Sequence, residues 1–187
     1  MARRTAREAT PEYLERVALW YLERYPGSEA RLRRALGKRV ARSVAELGTD
    51  AGEGAAHVEA VVNELRRRGF VDDARFARAR IRALRRKGTS GRAVVATLMR
   101  QGIDRDLAVQ LLHEHSDASE GGPPELMAAR AFVRRRRLGR YRRRAVPSDE
   151  ARAAREKDLG RLARAGFSFD IAARVLDEIA TSDAETP

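Results

Sequence analysis

Three groupings of side chains in this sequence are of types that do chemistry. Asp72 and Asp73 are adjacent carboxylates, the raw material of acid–base or metal chemistry. His113-Glu114-His115 is the one place where two imidazoles stand close together. The third grouping is cationic. Arg75, Arg78, Arg82, Arg85, Arg86 and Lys87 recur at helical spacing, and Arg134, Arg135, Arg136, Arg137, Arg140, Arg142, Arg143 and Arg144 crowd one short stretch. Only the third points to a function. Neighbouring aspartates at a helix start are explained as a cap and a dipole partner. Histidines at i and i+2 do not share a helix face, and the chain has three His and no Cys, so no metal site is expected. There is no Gly-rich phosphate loop and no Gly-x-Ser-x-Gly elbow. The expectation is a binding protein, not an enzyme, with no catalytic residue and no cofactor.

The cationic residues decide what is bound. The net charge is +12 over 187 residues, which implies an anionic partner such as nucleic acid or an acidic protein surface. The basic faces are nearly all arginine, without Asn or Gln beside them. That favours contact with a phosphate backbone over reading of base edges. The absence of cysteine is compatible with a reducing cytosol. The N-terminal residues lead into no apolar stretch, so no secretory signal is expected. No window approaches the ~18 apolar residues of a membrane span. A cytoplasmic protein with no membrane contact is expected.

The elements that must position these charges are helical. Hydrophobic residues make up 43%, charged residues 35% and aromatics only 5%, a mixture rich in good helix formers. The first helix runs from about Glu12 to Arg24, with Tyr13, Val17, Trp20, Tyr21 and Arg24 at helical spacing and Pro11 in its first turn. Trp20 and the tyrosines are assigned to the core, with base stacking as the lesser alternative. Ser28 caps a second helix with Leu32, Leu36 and Val40 inward. Leu47 to Ala56, with three glycines, reads as a flexible loop. Val58, Val61, Val62 and Leu65 define a third helix.

Asp72 or Asp73 caps the fourth helix. Phe76, Ala77, Ile81 and Leu84 share one side of it; Arg75, Arg78, Arg82, Arg85 and Arg86 share the other. Ser90 and Asp104 open the fifth and sixth helices, and the histidines after Leu112 read as an exposed tail. Ser116 to Pro124 is a linker. A seventh helix, Glu125 to Tyr141, carries Leu126, Ala129 and Val133 inward. Four consecutive arginines spread over about 300° of a helix, so Arg134 to Arg137 cannot share a face. Pro147-Ser148-Asp149 opens the eighth helix and Ser168 caps the ninth.

A turn pattern recurs three times: Leu65 to Asp73, Leu98 to Asp106 and Leu162 to Asp170 all read Leu-x-Arg-x-Gly-[Phe/Ile]-x-x-Asp. Gly69, Gly102 and Gly166 would take the left-handed position that ends a helix. Phe70, Ile103 and Phe167 would fold back onto the helix pair. Asp73, Asp106 and Asp170, or a nearby serine, would cap the next helix. The expected fold class is all-α: three tandem three-helix, helix-turn-helix-like repeats in an elongated, curved array. The boundaries are 12–70, 71–116 and 123–181, with a flexible basic N-terminus at 1–11, a linker at 117–122 and a flexible tail at 182–187. The phase of the first repeat is open, because its copy of the pattern follows its third helix.

In Gly69-Phe-Val-Asp-Asp-Ala-Arg-Phe-Ala77, then Arg86-Lys-Gly88, Leu98 and Gly102-Ile103, then Lys157, Leu162 and Gly166-Phe-Ser168, the chain resembles the RecX family of recombination regulators. Ser28, Leu32 and Leu36 fit the family's first unit, so the resemblance runs from about Trp20 to Ile179. It implies three tandem three-helix units that bind along the groove of the RecA filament on single-stranded DNA. It also implies modulation, usually inhibition, of RecA strand exchange and ATP hydrolysis, in DNA repair, recombination and the SOS response. Partners on that reading are the RecA filament and single-stranded DNA, with duplex bound more weakly, by a monomer. The rival is a helix-turn-helix transcription regulator; a structural RNA-binding protein using residues 130–144 is a third reading.

Overall fold

The computed structural model describes residues 6–117, 123–144, 146–147 and 149–181. Among the described residues the regular elements are all helical. They are α1 (Pro11–Arg24), α2 (Glu29–Leu47), α3 (Ala51–Arg67), α4 (Asp73–Arg86), α5 (Gly91–Arg100), α6 (Arg105–Asp117), α7 (Pro124–Arg136), a 3-10 turn (Gly139–Tyr141), α8 (Ala151–Arg164) and α9 (Phe169–Thr181). They follow one another as three triplets. None is long and apolar enough to cross a membrane. By contacts the chain divides into two compact units. Unit 1 holds residues up to Ala77 together with Arg100–Asp104; unit 2 holds Arg78–Met99 and the residues from Arg105 on.

In unit 1, α1, α2 and α3 surround Leu14, Ala18, Leu32, Leu36, Val40, Val58, Val61, Val62 and Leu65. Each helix starts on a side-chain cap, which satisfies an otherwise orphaned N–H. Thr10 accepts from the Tyr13 N–H at 3.3 Å, Ser28 from the Arg31 N–H at 3.3 Å and Asp50 from the Glu53 N–H at 2.7 Å. The Asp50 cap removes most of the expected loop. Leu47 is still helical, and α3 is already under way at Ala51. Of the glycines there, Gly48 ends α2 with φ 70°, and Gly54 serves close packing: a Cβ on it would stand 2.5 Å from Val40 Cγ1.

Two further expectations fail in unit 1. The inward row of α1 is Leu14 and Ala18, small enough at one position to let the helices approach, with Tyr13, Val17 and Tyr21 at the edge of the core. Trp20 is left 50% exposed, so it is not a core anchor, and Tyr25 just past the helix is 51% exposed. Nor are residues 6–11 a loose arm. Ala9 is buried, its N–H donates to Ser43 Oγ at 3.3 Å, and its carbonyl meets His57 Nδ1 at 3.0 Å. The rest of that expected arm (1–5), the linker residues 118–122 and the tail 182–187 lie outside the described residues.

In unit 2, α7, α8 and α9 close over Leu126, Ala129, Phe132, Val133, Leu138, Leu162, Phe167, Val175 and Leu176. Phe132 and Phe167 meet edge to face at 5.6 Å. Ile81, Val94, Leu98, Ala108 and Leu111 are buried as well. Ser90 caps α5 and Ser168 caps α9, at 3.3 and 3.4 Å.

The recurrent turn is a helix exit and marks more helices than the sequence pattern finds. At Gly69-Phe70 the Phe70 N–H donates to the Leu65 carbonyl and the Gly69 N–H to Arg66, both at 2.9 Å. The same bond pair recurs at Gly88-Thr89, Arg137-Leu138 and Gly166-Phe167, the double closure of a helix end. The aspartates of the pattern are not the caps. Asp72 caps α4, accepting from the Arg75 N–H at 2.8 Å, while Asp73 accepts from the Glu29 N–H at 2.8 Å. Asp73's carboxyl is held above its ordinary range, chiefly by burial. Asp106 and Asp170 sit inside the first turns of α6 and α9, where a negative charge complements the helix dipole. Ile103 and Phe167 are buried, but Phe70 is 45% exposed under the Arg68 guanidinium.

One contact is used in both units. Ser28 Oγ donates to the Gln101 carbonyl in unit 1, and Ser90 Oγ donates to the Ala165 carbonyl at 2.6 Å in unit 2. Each serine caps the second helix of a triplet, and each carbonyl directly precedes an exit glycine of the next triplet. Both glycines are pressed against the serine side. A Cβ on Gly102 would strike Ala30 Cβ, and one on Gly166 would come within 2.6 Å of Ser90 Oγ.

Arg137 carries the turn that ends α7 in glycine's place, with φ 55°. A left-handed L-residue costs roughly 1–2 kcal/mol. Arg137→Gly is therefore expected to stabilise the protein by about 1 kcal/mol and raise its melting temperature by about 3 °C, read by circular dichroism. An unchanged or lower melting temperature would show that the arginine side chain compensates the strain.

Candidate nucleic-acid interface

The amphipathic pattern of α4 holds with one exception. Arg75, Arg78, Arg82 and Arg86 are exposed, as is Lys87 just past the helix. Arg85 is not: it is 8% exposed and continues the inward row of Ala77 and Ile81, one turn apart each. One of its terminal nitrogens donates to the Thr89 carbonyl at 3.0 Å and to Glu125 Oε2 at 2.8 Å. Arg85 is thus withdrawn from the cationic stripe and holds the helix end. Arg78 is part-neutralised by Glu114 at 3.2 Å on α6. His115, expected in an exposed tail, is partly buried, and burial followed by the positive charges of Arg85 and Arg82 pushes its pKa below the ordinary value.

The arginine run resolves the problem of four charges on one turn by ending the helix inside it. Arg134, Arg135 and Arg136 are the last residues of α7, Arg137 is its left-handed cap, and all four are exposed. Leu138 then turns inward. Tyr141 is set among these charges. The Arg140 guanidinium lies 5.2 Å from its ring centroid and that of Arg134 5.8 Å. Their hydrogen bonds and charge, Arg140's first, hold the Tyr141 phenol below its ordinary range.

The segment after α7 is held by a buried carboxylate that the sequence reading passed over. Asp158 on α8 is 1% exposed. It accepts from the Gly139 N–H at 2.9 Å, from Arg142 at 2.6 Å and from Arg161 at 3.2 Å. Arg142 also donates to the Ala154 carbonyl. It is therefore a structural arginine, whereas Arg143 and Arg144 are exposed. Arg130 is paired with Glu178 at 2.7 Å. Arg75, Arg82, Arg86, Lys87, Arg135 and Arg137 are exposed and meet no carboxylate among the described residues.

The end of α4 and the arginines of α7 are brought together in unit 2. Gly88 sits against the backbone of Phe132, one helical turn before Arg136. Nearby, Arg136, Arg161 and Arg164 rim a hollow of about 490 Å³ floored by Phe132 and Leu138. What this arrangement offers chemically is a set of guanidinium donors at fixed backbone positions, suited to phosphate or carboxylate oxygens. Among the described residues no group of three or more His, Asp or Glu is placed to hold a metal.

A second basic surface, in unit 1, was missed. Trp20 and Tyr25 stand exposed beside Arg31, Arg34, Lys38 and Arg39 of α2. The signal was present in the spacing: Arg31, Arg34 and Lys38 follow the i, i+3, i+7 row of one helix face.

Comparison with known proteins agrees with this construction. The family profile described as RecX, second three-helix domain, matches residues 72–112, which span α4, α5 and most of α6. The regulatory protein RecX of Myxococcus xanthus (strain DK1622) is 37% identical over 175 residues, covering 91% of this chain and 88% of that protein. The regulatory protein RecX of Agrobacterium fabrum (strain C58 / ATCC 33970) is 37% identical over 115 residues, covering 62% of this chain and 55% of that protein. A crystal structure of RecX from Lactobacillus salivarius has a similar fold, with a TM-score of 0.65 at 17% identity over 91% of this chain and 97% of that one. Repeated helix exits, paired serine contacts and an arginine-faced second triplet thus coincide with close similarity over most of both chains to a protein named for regulation, and the chain belongs to the RecX family.

Proposed function

We propose that this protein is a regulator, not an enzyme, which binds the RecA filament on single-stranded DNA and restrains RecA's ATP hydrolysis and strand exchange. The observation that carries the reading is the set of exposed, unneutralised cations on α4 and at the end of α7: Arg75, Arg82, Arg86, Lys87, Arg135 and Arg137. The relatives are named regulatory proteins, and a stoichiometric regulator needs a wide anionic contact more than a reactive centre. Phosphates of the strand and acidic side chains of the filament both answer to such a face. It acts as a monomer in the cytoplasm, where the filament forms, and takes duplex DNA more weakly than the single strand.

The test measures RecA ATPase on single-stranded DNA with increasing protein at low salt. Inhibition reaching completion near stoichiometric protein is expected. The double reversal Arg82→Glu/Arg86→Glu should lower the affinity at least tenfold and flatten the salt dependence by about two counterions, with helicity unchanged because both side chains are exposed. No effect on ATPase overturns the regulator reading. Sequence-selective duplex binding in its place would make the protein a transcription regulator.

A further inference from the structure

We infer that unit 1 carries a base-stacking site for single-stranded nucleic acid, in which Trp20 takes the face of a base while Arg31, Arg34, Lys38 and Arg39 take the phosphates beside it. The site shares no residue with the cations of α4 and α7. It also adds a kind of contact that they cannot make, since it holds bases as well as phosphates.

Trp20 is the chain's only tryptophan, and folding leaves half of it in water. The inward row of α1 is complete without it. One face of it carries the Arg24 guanidinium, 4.6 Å from the ring centroid, and that arginine's own charge is met by Glu23 at 2.8 Å. A base would take the other face of the indole, opposite Arg24.

The surroundings are cationic on both sides. Trp20 and Arg39 line two adjoining hollows, of about 490 and 500 Å³. One also takes in Arg16 and Tyr13; the other takes in Arg31, Arg34, Lys38 and Tyr25. Arg31, Arg34, Lys38 and Arg39 meet no carboxylate among the described residues. Arg42 differs, being paired with Glu46 at 2.7 Å.

An aromatic ridge between two basic hollows fits a ligand with a flat face and negative charge to either side of it. A single strand has that chemistry at every nucleotide. A duplex does not, because its bases are stacked on each other. An acidic peptide supplies the charge without the flat face.

The test uses the full chain and its own fluorescence. Titration with a short oligothymidine should quench the tryptophan emission to saturation, and with excitation to the red of tyrosine absorption the signal comes from this site alone, because Trp20 is the sole tryptophan. Inorganic polyphosphate and polyglutamate should leave the emission unchanged. Trp20→Ala should weaken oligothymidine binding, measured by anisotropy, by roughly five- to a hundredfold, with Trp20→Phe recovering most of it and circular dichroism unchanged in both. The inference is overturned if saturating oligothymidine leaves the emission unchanged, if polyphosphate quenches equally, or if Trp20→Ala binds as tightly as the parent. Stronger quenching by polyglutamate would assign the surface to an acidic protein instead. A failed quench beside intact inhibition of RecA removes this site and leaves the filament reading standing; a normal quench without inhibition does the reverse.

Discussion

Gly88→Ala is expected to destabilise the protein by about 3 kcal/mol or more. Two costs fall on the same atom. Gly88 has φ 72°, where an L-residue is strained by roughly 1–2 kcal/mol. A Cβ there would also meet backbone: it collides with the Phe132 nitrogen and would stand 2.8 Å from both the Phe132 Cα and the Ala128 carbonyl oxygen. A side chain could rotate away, but a helix backbone cannot yield without moving all of α7, and forced overpacking of this kind costs about 1–3 kcal/mol. Gly69 provides the control. Its φ is 75°, yet no described residue lies within 4 Å of where a Cβ would be, so Gly69→Ala should cost only the backbone strain, about 1 kcal/mol. Urea midpoints of the two variants measure the difference. Equal shifts would mean that α4 and α7 are not in contact at this turn.

Glu125→Ala should cost about 3 kcal/mol and lower the melting temperature by about 10 °C. Glu125 ties three chain segments. Its carboxylate accepts from Arg85 at 2.8 Å and from the Gly91 N–H at 3.2 Å, while Arg85 in turn holds the Thr89 carbonyl. Removing the carboxylate strands a buried guanidinium whose Nε already lacks a partner. Breaking a buried pair from one side typically costs 3–5 kcal/mol. Because the Glu125 side chain is about a third exposed, the lower end applies. Removing both charges is far gentler than removing one. Adding Arg85→Met to Glu125→Ala should therefore recover most of the loss, and a double-mutant cycle by thermal denaturation reads that coupling. Additive losses would show that the pair stands in solvent.

These two sites also show where sequence reasoning succeeds and where it stops. Local signals were legible. Ser28, Ser90 and Ser168 cap helices as expected, because a cap depends only on residues three apart. Apolar rows such as Val58, Val61, Val62 and Leu65 point inward because burial follows periodicity. Arg85 was not legible. A helical wheel assigns by residue type and so puts arginine in water, whereas the counter-charge that allows its burial comes from 40 residues away. Trp20 failed for the opposite reason: its size argues for the core, but the row Leu14 and Ala18 permits closer helix approach and displaces it. Gly54 was read as a mark of flexibility when it marks a close crossing with Val40. Arg137 adopts glycine's conformation without being glycine, so the turn pattern could not find it. Of the candidate interface, the exposed arginines were legible from spacing; the structural duties of Arg85 and Arg142 were not, since both depend on distant carboxylates.

The doubled serine contact has a consequence for how such a chain can change. It pairs unlike halves, a hydroxyl from one triplet and a carbonyl with its glycine from the next, so it has a direction. Each triplet can therefore offer one half forward and one half back. Gly48, which holds the receiving place in the first triplet, ends α2 with φ 70°, and no described residue lies within 4 Å of where a side chain would begin. Among the described residues nothing fills that half. A gene that gained a whole triplet there would need no new kind of contact to hold it, and one that lost a triplet would leave the remaining contacts as they were. The number of triplets is then free to vary by duplication and deletion, while the residues at each seam stay under constraint.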